Sequence, residues 1–77
     1  MKKIINKKTY NTDTAELLGH ITFGNFGDSF GFEEKLFITR TGNHFVYGFG
    51  GEESKYPHEK ITPLTVAEAK QWLKENK

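Results

Sequence analysis

Hydrophobic positions crowd into the middle of the chain, and there they fall on both faces of a strand rather than one. The stretch Leu36 to Gly51, LFITRTGNHFVYGFGG, holds two runs rich in β-branched and aromatic residues on either side of Gly42-Asn43. A Gly-first two-residue loop suits a tight hairpin turn, so the pattern predicts a β-hairpin about Gly42-Asn43 with strands near 34–40 and 44–49. Closing on that loop pairs Thr41 with His44, Thr39 with Val46 and Phe37 with Gly48. Side chains alternate along a strand. One face then carries Leu36, Ile38, Arg40, Phe45, Tyr47 and Phe49; the other carries Phe37, Thr39, Thr41, His44, Val46 and Gly48. A domain this short can cover only one such face with helix, which leaves the other as a partner-binding site or a dimer seam.

The flanking segments are weaker in pattern. Lys2–Tyr10 reads as one short strand, or two about Asn6-Lys7. Thr12 or Asp13 can cap a short helix over Ala15–Leu18, with Gly19 as its stop. Ile21–Phe23 is a short strand, followed by a glycine-punctuated loop that turns some of its phenylalanines inward. A third strand of the sheet fits Glu59–Thr62. The C-terminal segment is the clearest. Thr65-Val66-Ala67-Glu68 has the form of a capping box, and Val66, Ala69, Trp72 and Leu73 then make one apolar stripe at helical spacing, with Trp72 in the core. Lys70, Lys74 and Lys77 fall where the helix dipole favours cations. The predicted class is α+β in a single domain spanning 1–77: a small antiparallel sheet with a short N-terminal helix and a C-terminal helix, about 66–76, packed on one face.

Composition narrows the function. With 77 residues the core is small, since such a chain buries roughly 60–65% of its unfolded surface. There is no cysteine, hence no disulfide framework and no thiolate metal site. The basic start MKKIINKK is followed by too short an apolar run for a secretory leader, and no stretch is apolar enough to cross a bilayer, so a cytoplasmic protein is expected. Eleven basic against ten acidic residues argue against both an acidic nucleic-acid mimic and a dedicated duplex binder. Arg40 is the sole arginine, so bidentate phosphate or guanine contacts are nearly out of reach.

No reaction is legible, and a non-enzymatic chain without cofactor is expected. His20, His44 and His58 are far apart in sequence and in no ligand spacing. Ser29, Ser54, Asp13 and Asp28 could join the histidines in a triad on paper, but no nucleophile elbow surrounds either serine. Glu33-Glu34 and Glu52-Glu53 read as solvated charge at strand ends. The glycines of Gly24–Gly31 lack the lysine and the following helix of a phosphate loop. One basic cluster, Lys2, Lys3, Lys7 and Lys8, could serve an aromatic sheet as a single-strand binder, or simply protect a sheet edge.

Across nearly its whole length the chain resembles small proteins of bacteriophages and mobile elements of low-GC bacteria. The shared pattern is KKIINxKxYxTxTAxxLG, then GxxFxxGxGGxxSxY, then IxPLTxxEAxxW, met here by Lys2–Asn6, Tyr10, Thr12, Thr14, Gly42, Phe45, Ser54, Tyr56, Pro63–Thr65 and Trp72 among others. Some proteins of this size and source are anti-CRISPR or other anti-defence factors. The resemblance therefore implies a cytoplasmic inhibitor that binds a bacterial CRISPR or other defence effector and occludes it. The similar proteins carry a longer insert after Ser54-Lys55-Tyr56 and an acidic tail, both lacking here, and charged residues in place of Ile38 and Phe49. That substitution implies that helices pack on the Phe37/Val46/Gly48 face, with Gly48 admitting a close approach, and that Leu36, Ile38, Arg40, Phe45, Tyr47 and Phe49 form the exposed docking patch. The alternatives are a nucleic-acid accessory protein using Lys2, Lys3, Lys7 and Lys8, and a homodimer formed through the same patch.

Overall fold

A computed structural model describes residues 2–24 and 28–76. In chain order these form β1 (Lys2–Ile5), β2 (Lys8–Asn11), β3 (Glu16–Phe23), β4 (Phe32–Ile38), β5 (His44–Gly50), β6 (Lys60–Leu64) and α1 (Val66–Glu75). Strands β3, β4, β5 and β6 lie side by side in that order as one antiparallel sheet, and β1 with β2 makes a separate hairpin. The α+β class, the antiparallel sheet about a central hairpin and the C-terminal helix agree with the reading of the sequence. The N-terminal helix does not form.

The central hairpin turns through a longer loop than expected. Thr39 N–H donates to the Asn43 carbonyl at 2.8 Å, and Gly42 N–H donates to the Thr39 carbonyl at 2.9 Å. Gly42 has φ +88°. These are the marks of a three-residue loop, a β-turn followed by a left-handed residue, rather than a two-residue turn. Side chains reinforce it: the Thr39 hydroxyl accepts from Asn43 N–H, and the Asn43 amide donates to Thr41, each at 3.0 Å. The register shifts accordingly. Val46 lies opposite Leu36, Phe45 opposite Phe37 and Tyr47 opposite Lys35, so Leu36 is displaced by three positions from its expected partner. An odd displacement moves one strand's side chains to the other face relative to its neighbour.

The sheet is covered from both sides. On one side α1 lies over Leu36 and Val46; these and Ala69 form a buried cluster, with Leu64 and Trp72 packed against it. Trp72 sits on β3 at Gly19, where a Cβ would come within 2.6 Å of its ring. Gly48 faces the ring of Tyr56 rather than the helix, and has no room for a side chain. On the other side the β1–β2 hairpin supplies Tyr10, which meets Phe45 edge-on at 5.4 Å, while Phe37 stacks on Phe45 at 5.2 Å. Tyr10, Phe37, Phe45 and Ile61 are the second buried cluster, with Ile5, Ala15 and Tyr47 against it.

Local chemistry explains the ends. At the β1–β2 turn Asn6 and Lys7 have φ of 50° and 66°, the doubly left-handed geometry that matches strand twist. After β2 the Asn11 carbonyl accepts from Thr14 and Ala15 N–H, and its side chain accepts from Asp13 N–H at 2.9 Å. That makes one turn only, and nucleating a helix so short is unfavourable. From Glu16 the backbone instead pairs with β4, with an irregularity between Leu17 and Gly19. Glu16–Leu18 is thus the start of β3, and Gly19 is no helix stop. Thr65 caps α1 in both directions, accepting from Glu68 N–H at 3.1 Å while the Glu68 carboxylate accepts from Thr65 N–H at 2.9 Å. Pro63 sits in β6 on the sheet's edge, where proline is tolerated. Lys77 lies outside the described residues, as do Asn25, Phe26 and Gly27.

Two stability measurements test this packing by chemical denaturation. Phe45→Ala should lose about 3–5 kcal/mol and Phe49→Ala far less, whereas an exposed docking role for both would make both losses small. Lys7→Gly should gain about 1 kcal/mol by relieving a left-handed lysine.

Candidate functional site

The six residues expected to form one exposed patch are not brought together. Leu36 and Phe45 are fully buried, in the two clusters on opposite sides of the sheet. Ile38 is half-buried on the α1 side, and Arg40 is exposed in the β4–β5 loop. Tyr47 and Phe49 share the side that the N-terminal hairpin covers only in part. The patch does not form because the three-residue loop sets a register that divides these residues between the two faces, and because the N-terminal hairpin covers Phe45.

What remains open on that side are two rows of the sheet: His20, Lys35 and Tyr47 across β3, β4 and β5, then Thr22, Glu33 and Phe49. Tyr47 and Phe49 lie two apart on one strand, with ring centroids at 5.4 Å, and the Lys35 ammonium stands 5.8 Å from the Phe49 ring. His20 Nε2 meets the Glu33 carboxylate at 2.7 Å, and the Tyr47 hydroxyl donates to Glu59 at 2.8 Å. The surface is aromatic at the centre and charged at its rim, and all its side chains except Glu59 stand on paired strands. Lys35, His20 and Glu59 had no signal in the sequence, because only the register sets them beside the two aromatic rings.

The rows end in a cleft of about 750 Å³ bounded by Phe23, Phe32, Glu33, Phe49 and the glycines Gly31 and Gly51. The connections around it are joined: Gly51 N–H donates to the Gly31 carbonyl, Glu53 N–H to the Ser29 carbonyl, both at 2.9 Å, and the Ser29 hydroxyl to Glu53 at 3.0 Å. This is the described part of the glycine-rich segment. It serves as a loop stitched to the 51–54 connection.

The lysine cluster lies on the β1–β2 hairpin. Lys3 pairs with Tyr10 and Lys8 with Ile5, on the side facing the sheet, while Lys2 pairs with Asn11 and Lys7 occupies the turn. All four are exposed.

Among the described residues one charged group is buried, against the expectation of solvated glutamates. Glu34, on the α1 side of β4, is 7% exposed. It accepts a short hydrogen bond from the Tyr56 hydroxyl, and the Lys55 ammonium lies 3.4 Å away. Tyr56 also meets Phe32 edge-on. Glu34 anchors the 51–58 connection over Gly48, a structural duty that its sequence context did not signal. Among the described residues no group of three His, Cys, Asp or Glu side chains is placed to hold a metal ion, and no helix is long and apolar enough to cross a membrane.

Comparison of the chain with family models, with curated proteins and with solved structures finds no match. The site is therefore argued from its own geometry.

Two tyrosines carry shifted hydroxyls. Burial first, then the hydrogen bond and charge of Glu59, pushes Tyr47 up to about 12; burial and Glu34 push Tyr56 up further. A raised folded-state value means the folded chain holds protons that the unfolded chain has released above pH 10. The stabilisation is complete below pH 10 and is lost as pH rises through 12. Absorbance titration should show Tyr47 ionising near 12, and Glu59→Gln should move that midpoint back toward 10, only in part because burial persists.

Proposed function

We propose that this chain is a non-enzymatic protein-binding module that docks a bacterial protein on the open rows of its sheet and acts by steric occlusion. The observation that supports this is the Tyr47–Phe49 pair with Lys35 beside it, held on a hydrogen-bonded strand in the middle of the sheet and only half-buried there. Aromatic anchors ringed by charge have the composition of interface hot spots, and a paired strand presents them with little conformational entropy left to lose. Apolar side chains of the partner would enter the adjoining cleft. The target class, a CRISPR-type or other defence effector in the host cytoplasm, follows from the resemblance to phage and mobile-element proteins. Leu36, Ile38 and Phe45 have no part in the contact.

A second reading, a nucleic-acid accessory role, draws on one observation. The hairpin bearing Lys2, Lys3, Lys7 and Lys8 occupies the same layer as Tyr47, which packs against the cluster containing Tyr10 and Ile5. Cations beside stacked aromatics suit single strands.

The decisive experiment is capture of the tagged chain's partners from lysate expressing CRISPR effectors, with and without nuclease, followed by affinity measurement on the partner found. Under the first reading a stoichiometric protein survives nuclease, and Tyr47→Ala with Phe49→Asp weakens it by about thirty-fold or more, the size of one hot spot. Unchanged affinity of the folded double variant would reject this surface. Partners that vanish with nuclease, and binding that falls steeply with salt, would establish the second reading.

A further inference from the structure

The two edges of the four-stranded sheet differ in how they meet solvent. Edge strands invite pairing with other chains, and proteins blunt them with lysine, proline or brevity. The β6 edge has five residues and carries Lys60 and Pro63. The β3 edge has eight, ELLGHITF, with no proline and no lysine, and Glu16 at one end is its one carboxylate. Leu17, Leu18 and Phe23 are exposed along it, Phe23 at 61%. Among the described residues no strand pairs with its outer side.

We propose that β3 pairs antiparallel with β3 of a second copy of this chain, joining two four-stranded sheets into one of eight strands. The occupant follows from the strand's self-complementarity. Its regular stretch, Gly19 to Phe23, has Ile21 at the centre. Gly19, Ile21 and Phe23 share the α1 side, and His20 and Thr22 the other. Strands paired about a two-fold axis through Ile21 keep every side chain on its own side of the joined sheet. Ile21 then meets its own copy, His20 meets Thr22, and Phe23 falls opposite Gly19. The large exposed ring thus lies across from the residue with no side chain. Beside Gly19 stand the Trp72 ring and Leu73, which a Cβ there would approach at 2.6 Å and 3.3 Å. A groove of about 580 Å³ beside it mixes the apolar Ile21, Phe23, Phe32 and Trp72 with Glu34, Lys55 and Glu75. No Asp, Glu, Lys or Arg lies within Leu17–Phe23, so the paired strands themselves set no like charges face to face. This strand contributes His20 and Thr22 to the ends of the open rows and Phe23 to the adjoining cleft, while Tyr47 and Phe49 lie two strands away on β5.

The chain has no cysteine, so single cysteines report the geometry cleanly. Residues facing each other across antiparallel strands have Cα atoms about 4.5–5.5 Å apart, within disulfide reach. Sedimentation equilibrium should give twice the 8.8 kDa chain mass. Ile21→Cys should cross-link to a dimer on mild oxidation, whereas Phe23→Cys, facing Gly19, should not. Phe23→Lys should halve the mass with an unchanged circular dichroism spectrum, and Phe49→Asp should leave the dimer intact. A monomer at every concentration, a Phe23→Lys variant still dimeric, or equal cross-linking of both cysteine variants would overturn the proposal.

Discussion

Everything in the fold depends on the loop joining β4 to β5. Its three residues, with Gly42 left-handed and the Thr39, Thr41 and Asn43 side chains tied together, set which residue of β5 faces which of β4. Strand pairing has a period of two, so a loop longer by an odd displacement of register reassigns half the central side chains. Leu36 joins Val46 under the helix, Phe37 joins Phe45 under the N-terminal hairpin, and the two clusters follow. With the shorter loop the same residues would have put six large side chains on one face and left Phe37, His44 and Val46 among smaller residues on the other.

A small domain rarely covers both faces of a sheet. This one does so by dividing the work among three short covers: α1 over the middle of one face, Tyr56 over its far end, and β1–β2 over half of the other. The two covers on the α1 side each require a missing or satisfied group beneath them. Gly19 admits Trp72, Gly48 admits Tyr56, and buried Glu34 is hydrogen-bonded by the tyrosine that hides it. A buried carboxylate is costly unless paired, so the 51–58 connection is held by the same interaction that makes Glu34 tolerable.

The half-face left over and the unblunted edge offer two kinds of chemistry. The Tyr47–Phe49 rows present side chains, where affinity comes from apolar area and from orientation set by the strand ladder. The β3 edge presents backbone, where affinity comes from extending that ladder. The first suits a partner of a particular shape; the second suits any strand of matching register, and this chain's own β3 meets that condition. Both exist because the covers are short.

The C-terminal helix was legible from the sequence because its signals are local: a reciprocal cap between Thr65 and Glu68, and an apolar stripe repeating at one turn. The β1–β2 hairpin was half legible for the same reason, in Asn6-Lys7. The antiparallel class followed from the apolar runs on either side of Gly42. The register did not. Gly42 fits two loops of different length, and the choice lies in hydrogen bonds among Thr39, Thr41 and Asn43, together with the burial that each register achieves. The strand at Glu16–Leu18, the burial of Glu34 and the grouping of Lys35 with Tyr47 and Phe49 were decided at the same level. Each depends on partners distant in the chain, and the energy of those contacts outweighs any local preference of the residues concerned. What the sequence alone determined was which segments could be elements; which faces they turn to each other, and so which surface is left to bind, was decided only by closing the tertiary structure.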